Sequence, residues 1–224
     1  AGLERDARQL LGADVLVVSD QPLPADIEAR ARTSGLQVTH TAAFPSMATA
    51  LAGGASGEPA SQLAAVKAVG KGYPLRGAVK VSDGRDSIGT PVHSIPAAGT
   101  VWVDAPLLEA LGVRVGDAIR LGTRTFTIAH VITQELDRGA GFMNFAPRVM
   151  LPMADLPSTG LITYGSRVTY RLLVAGPDVT VNAFRAWAES ALKTRHLRGV
   201  RIESLQNGQP QMRETLDRAE RFLS

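Results

Sequence analysis

The 224-residue chain contains no cysteine. Its absence removes disulfides, zinc–thiolate sites and cysteine nucleophiles together. A chain of this length buries enough surface to stand without covalent staples, so the missing cysteines leave the redox compartment open. Aromatic residues make up only 5% of the composition, and no apolar run approaches the ~18–20 residues that cross a bilayer as a helix. The N-terminal stretch AGLERDARQLLG is charged, without the basic-then-apolar order of an export leader, so any such signal is expected outside this sequence. Charge of one sign is also scarce in excess: 24 basic residues face 21 acidic ones, a formal net charge of +3. Lysine and arginine are scattered and do not form a stripe with interleaved aromatics, which argues against nucleic acid as a partner.

The usual marks of catalysis are missing too. The histidines, at 40, 93, 130 and 196, have no HxxxH or HExxH spacing and no acidic ligand at a metal-binding interval. His130 alternates with Phe126, Ile128 and Ile132 and is expected to pack against the core on their face of a strand. Gly54, Ala55, Ser56 and Gly57 place the second glycine one position too early for a GxSxG nucleophile elbow. Gly70, Gly72 and Gly77 with Pro74 between them read as a strand end and turn, not as a helix-opening phosphate cradle. Asp83 and Asp86 beside Arg85, and Glu135 with Asp137, are acid pairs of the kind a glycosidase uses, but the expectation is that they are solvated loop carboxylates. No catalytic, cofactor-binding or metal-ligating residue is expected.

What is present is a mixed α/β pattern. Leu3, Ala7, Leu10 and Leu11 fall at helical spacing before Gly12, and Pro210 opens a second helical stripe of Met212, Leu216, Ala219, Phe222 and Leu223. The first begins without a cap and the last ends without a stop signal, so they read either as parts of something longer or as ordinary terminal helices. Between them, strand Ala13–Ser19, helix Pro24–Ser34 and strand Leu36–Thr41 form one β-α-β unit, and Arg167–Val174, Thr180–Lys193 and Val200–Leu205 form a second. Phe44–Leu51 and Ser61–Val69 read as a hairpin around AGGASGEPA. The centre is β-rich: strand Val101–Val103, a short helix capped by Asp104 and closed by Gly112, then strands Ala118–Leu121 and Thr125–Ile132 joined at Gly122 and Thr123. Residues 1–90 with 166–224 are expected to form the α/β part and residues 91–165 the insert. The fold class is α+β.

In one loop, RGAGFMNFAPR (Arg138–Arg148), Phe142, Met143 and Phe145 sit among glycines and between two arginines. An apolar tip ringed by charge would suit a partner or hydrophobic substrate; the alternative is a plug folded onto the insert's own core.

The most distinctive segment is SQLAAVKAVGKGYPLRG (Ser61–Gly77), joined by LLEALGVRVGDAIRLGTRTFTIAHVI (Leu107–Ile132). Both resemble the extracytoplasmic domain of MacB/FtsX-like ABC transporter permeases, in the branch that works beside a lysophospholipase-type esterase. The first stretch is the more specific, since small barrels often carry the second. The resemblance spans essentially the whole chain. It implies a Porter-like α/β domain, a Sabre-like β-rich insert and helical stalks at both termini that run to transmembrane segments. It also implies a periplasmic position on a bacterial inner-membrane protein, a separate cytoplasmic ATPase subunit, no catalysis or cofactor in this domain, and lipid or other hydrophobic cargo moved by ATP-driven conformational change. The alternative it implies is a platform that recruits or regulates a periplasmic SGNH-type esterase.

Overall fold

The computed structural model describes residues 2–53 and 58–204. The second terminal helix expected after Pro210, and the tip of the hairpin at 54–57, lie outside these residues.

Helix α1 (Gly2–Leu11) buries Ala7 and Leu11 and stops at Gly12, whose φ of 71° lies in the left-handed region that glycine tolerates. Strand β1 (Val15–Ser19), helix α2 (Ala25–Thr33) and strand β2 (Gln37–Gly53) follow. Near the other end come β10 (Thr169–Ala175), α6 (Asp178–Thr194) and β11 (Val200–Ser204). The two β-α-β units do not stack in tandem. Their strands interleave in the order β11-β1-β10-β2 with every neighbour antiparallel, which is the split β-α-β arrangement of ferredoxin-like folds. Helices α2 and α6 close one face over Val15, Val17, Leu172 and Val174, to which they contribute Ile27, Ala31, Val181, Phe184 and Ala188.

Between β2 and β10 the chain forms β3 (Pro59–Val69), β4 (Val79–Ser82), β5 (Thr90–Val92), β6 (Thr100–Asp104), α3 (Ala105–Leu111), β7 (Ala118–Leu121), β8 (Arg124–Gln134), α4 (Phe142–Phe145), β9 (Arg148–Pro152) and α5 (Leu156–Thr159). Strands β2, β3, β9, β6, β8 and β7 pair in that order, and β7 pairs back onto β2, so the ring closes. Its interior is filled by Ala48, Ala50, Ala64, Val66, Val101, Val103, Ile119, Leu121, Phe126 and Ile128, with Leu107 and Leu111 of α3 packed against them. Closure leaves the ring no free edge.

Several sequence expectations change here. The two strands expected at 36–41 and 44–51 are one, because Ala42 and Ala43 carry the ladders to β10 and β3 straight through and no turn residue interrupts them. It is this single β2 that belongs to both the ferredoxin-like sheet and the ring. Strands β4, β5 and β9 were not expected. The first two are short, and β9 is a five-residue run buried along its whole length, too brief to show a period. His130 is exposed, not packed. A bulge in the β6–β8 pairing, between Val101↔Ile128 and Trp102↔His130, shifts the alternation by one, so Ile132 leaves the Phe126 and Ile128 face for the second core and the imidazole meets the Trp102 ring edge-on at 5.7 Å.

Candidate functional site

Strand alternation decides where Lys67 points. Val66 and Ala68 face the ring's interior, so Lys67 projects from the opposite face of β3, beside Val69 and the second core of Leu16, Tyr73, Trp102 and Met150. There its side chain is only 1% exposed. An unpaired ammonium at such a site would be prohibitively costly, and Lys67 is fully paired. Its Nζ donates to Tyr73 Oη (2.7 Å), Glu135 Oε2 (2.8 Å), Asp137 Oδ2 (2.9 Å) and the Asp137 carbonyl (3.1 Å). Tyr73 in turn donates to Asp137 Oδ1 at 2.6 Å. Arg148, at the start of β9 and fully buried, donates from Nε to Glu135 Oε1 at 2.8 Å. Both oxygens of Glu135 are therefore occupied by cations.

The consequences for protonation follow from this geometry. Burial pushes the Glu135 carboxyl up, but Lys67 and Arg148 outweigh it and hold the group below the usual carboxylate range. Burial, then the charges of Asp137 and Glu135, push the Tyr73 phenol well above its ordinary value. Asp104 is also raised, chiefly by burial.

The cluster anchors the loop that follows. Arg148 Nη2 donates to the carbonyls of Arg138 (2.7 Å) and Met143 (3.3 Å), while Arg138 Nε and Nη2 donate to those of Asn144 and Ala146, each at 3.0 Å. Arg138 Nη1 also lies 3.8 Å from Asp104 Oδ2, the carboxylate that caps α3. The two arginines expected to ring the loop with surface charge are instead its fasteners. Fixed in this way, α4 leaves Phe142 42% and Phe145 83% exposed, with Met143 half-buried. The two rings do not plug the core. Glu135 and Asp137, expected as solvated carboxylates, are a buried and a half-buried member of the cluster, because the chain leaving β8 turns inward against Lys67.

On the other side the cluster reaches α1. Leu75 and Arg76 donate their amides to the Gly12 carbonyl at 2.9 and 3.0 Å. Arg76 grips the buried Asp14 in a fork, Nε to Oδ1 at 3.1 Å and Nη2 to Oδ2 at 2.9 Å, and Asp14 also accepts from the Gly176 amide. Gly77 has φ 72° and lies so close to α1 that a Cβ there would come within 3.2 Å of the Gln9 carbonyl. Sequence reasoning gave Lys67, Tyr73 and Arg76 no role. The available signal was a lysine in the middle of an apolar strand run, AAVKAV. Among the described residues, no three His, Asp or Glu side chains gather as a metal site would require.

Lys67→Met is expected to cost about 3–5 kcal/mol, the penalty for stranding a buried counter-charge, measurable by urea unfolding. The pH dependence has a definite sign. Because Glu135 is held below its ordinary value, its contribution is complete above about pH 4.5 and is lost as pH falls further. Because Tyr73 is raised, the unfolded chain sheds the phenolic proton first, and stability falls as pH rises past about 10. Unfolding free energies measured across pH should show both limbs, and Glu135→Gln should flatten the acid one.

A family model, MacB-like periplasmic core domain, matches residues 2–191. Over 222 residues the chain is 29% identical to the ABC transporter permease YbbP of Escherichia coli K12; the match covers 99% of this chain and 25% of that protein, so the chain spans about a quarter of its relative's length. The crystal structure of the periplasmic region of MacB from Actinobacillus actinomycetemcomitans shares the fold, with a TM-score of 0.52 at 14% identity over 94% of this chain and 95% of that one. With its interleaved sheet, closed ring and matched residues, the chain belongs to the MacB-like periplasmic core domain family.

Proposed function

We propose that this chain is the periplasmic lever of an ABC transporter permease: a non-catalytic body that carries movement from the membrane side to an exposed apolar contact. A cytoplasmic ATPase subunit would supply the energy, and lipid or another hydrophobic compound would be the cargo. In this reading the ferredoxin-like sheet is the Porter-like base, the closed ring is the Sabre-like head, and α1 is the stalk. The observation that carries it is a pair of short polar networks joined by the three-residue backbone step from Arg76 back to Tyr73. Together they run from the Gly12 carbonyl and Asp14 through Arg76 and Tyr73 to Asp137 and Lys67, then through Glu135 and Arg148 to the carbonyls of the α4 loop. A displacement at the end of α1 would pull on the Arg76–Asp14 fork and, through the Tyr73 turn, on the buried Lys67 contacts, whose rupture costs several kcal/mol. Phe142, Met143 and Phe145 are the proposed contact with cargo or partner.

The test uses the full-length permease with its ATPase subunit in a lipid bilayer, with spin labels placed in separate samples at Leu10 and Asn144. ATP should displace both labels in the native protein. In Arg76→Ala the label at Leu10 should still move while the displacement at Asn144 falls by at least half. Equal displacement at Asn144 in the variant, or none in the native protein, rules the lever out.

Exposure of Phe142 and Phe145 on a tightly fastened helix also favours the second reading, a docking platform for a periplasmic SGNH-type esterase, since rigid aromatic anchors are what such contacts use. Purified domain should then retain the esterase on a column, and Phe142→Ser with Phe145→Ser should release it. Retention unchanged by the double substitution would refute docking at this loop.

A further inference from the structure

A second surface feature lies apart from the α4 loop. Three segments border a groove of about 480 Å³: Arg32 to Val38 at the end of α2, Lys71 to Leu75 after β3, and His93 after β5. Leu36, Val38, Pro74 and Leu75 give it some apolar lining, and Arg32, Lys71 and His93 also line it, with no acidic residue among them. In a chain with 21 acids to 24 bases, such a one-signed lining is a local departure from the mean.

Most of the donors there are uncommitted. Among the described residues Lys71 and His93 have no hydrogen-bond or ion-pair partner, and the amides of Lys71 and Gly72 make no hydrogen bond. Arg32 is ion-paired to Glu28 Oε1 through Nε and Nη2, and its Nη1 makes no hydrogen bond among the described residues. Consecutive free amides in a glycine turn, beside an ammonium, an imidazole and a guanidinium, are the donor set that receives a phosphate's oxygens. These donors come from three separate segments, which is why the spacing of the glycines alone did not reveal them.

The groove's place in the fold narrows the source. Val15 pairs with both Val174 and Ser204, and Gln37 with Ala175, so the end of α1, the start of β2 and the end of β11 lie at one end of the sheet. The groove opens at that same end, beside Gln37 and the Leu75 amide that bonds Gly12. We infer that this groove binds a phosphate-bearing anion through Lys71, His93, Arg32 and the amides of Lys71 and Gly72, with the neighbouring Leu36, Val38, Pro74 and Leu75 in place to meet whatever carbon the phosphate carries. Only the assignment of that phosphate to a lipid headgroup rests on the permease reading, in which this end of the sheet faces the bilayer.

The experiment uses the 224-residue chain and two probes: inorganic phosphate, followed by NMR at the amides of Lys71 and Gly72 and the ring of His93, and vesicles of phosphatidylglycerol in phosphatidylcholine, followed by co-sedimentation. Phosphate is expected to give saturable shifts at these positions, and Lys71→Glu with His93→Ala to weaken binding at least tenfold. Both side chains are exposed, so the double variant should keep the native spectrum elsewhere. Sedimentation with anionic vesicles, absent with pure phosphatidylcholine and lost in the variant, assigns a lipid headgroup. Phosphate shifts without vesicle binding support the site and assign a free phosphate, and they would stand even if the lever reading failed. Absence of binding with both probes, or binding that survives the double variant, overturns the inference.

Discussion

The buried ion cluster around Lys67 is the constraint on which the arrangement of this domain depends. Two cations, Lys67 and Arg148, and the carboxylates of Glu135 and Asp137 meet where β3, β9, the Tyr73 turn and the chain after β8 converge. Taking such ions out of water costs several kcal/mol each, so the cluster adds little net stability over a well-packed apolar core. Its effect is selective. Lys67 needs acceptors from both the Tyr73 turn and the 135–137 segment, while Arg148 needs Glu135 and the carbonyls of Ala65, Arg138 and Met143. Only an arrangement that brings all these segments together leaves no charge stranded, and alternatives with a slipped register are penalised in proportion.

The cluster sits on a spine that is itself continuous. From Thr41↔Val69 to Thr49↔Ser61 the β2–β3 ladder runs without a shift, past the point where β10 stops pairing with β2 and β7 begins. The ferredoxin-like sheet and the ring are thus two cores on one pair of strands, and no flexible linker lies between them along β2 and β3. A strand of 17 residues extends about 56 Å at ~3.3 Å per residue. Across the junction at 44–47 its ladder to β3 continues between the last rung to β10 and the first to β7, so the β2–β3 pair ties the two cores together.

Much of this was legible in the sequence, and the failures have physical causes. The helices and most strands were found because apolar periodicity and glycine stops report burial directly; Asp104 and Gly112 bracket α3 as their chemistry requires. The interleaving of the two β-α-β units was not found, since strand order is decided by long-range pairing that leaves no local mark. Phe142 and Phe145 stood out in the sequence, which left open whether they are exposed, and their arginine flanks were misread. A charged side chain next to glycines looks solvated unless its counter-charge, here Glu135 at 13 positions' distance, is known to be adjacent. His130 failed for a related reason: a bulge changes which side a residue faces while leaving the alternating pattern in the sequence intact.

The segment that carried the family resemblance can now be explained residue by residue. Lys67 must lie on the outward face of β3 to reach Glu135, and Tyr73 must return over it to reach Asp137. Between them the chain turns at Gly70, where any Cβ would press within 2.8 Å of Thr39 Oγ1, and at Gly72, whose φ of 87° suits glycine. Lys71, held between these glycines, is left at the surface, and Arg76 follows at the distance that lets its fork meet Asp14 while Gly77 slips past α1. One short stretch therefore supplies the buried cation, its phenolic partner, an outward ammonium and the tie to the first helix. A shift of a single residue would misplace at least one of them, because each acts in a different direction on a backbone with no slack. That is why a segment without reaction chemistry is nonetheless so specific in its order.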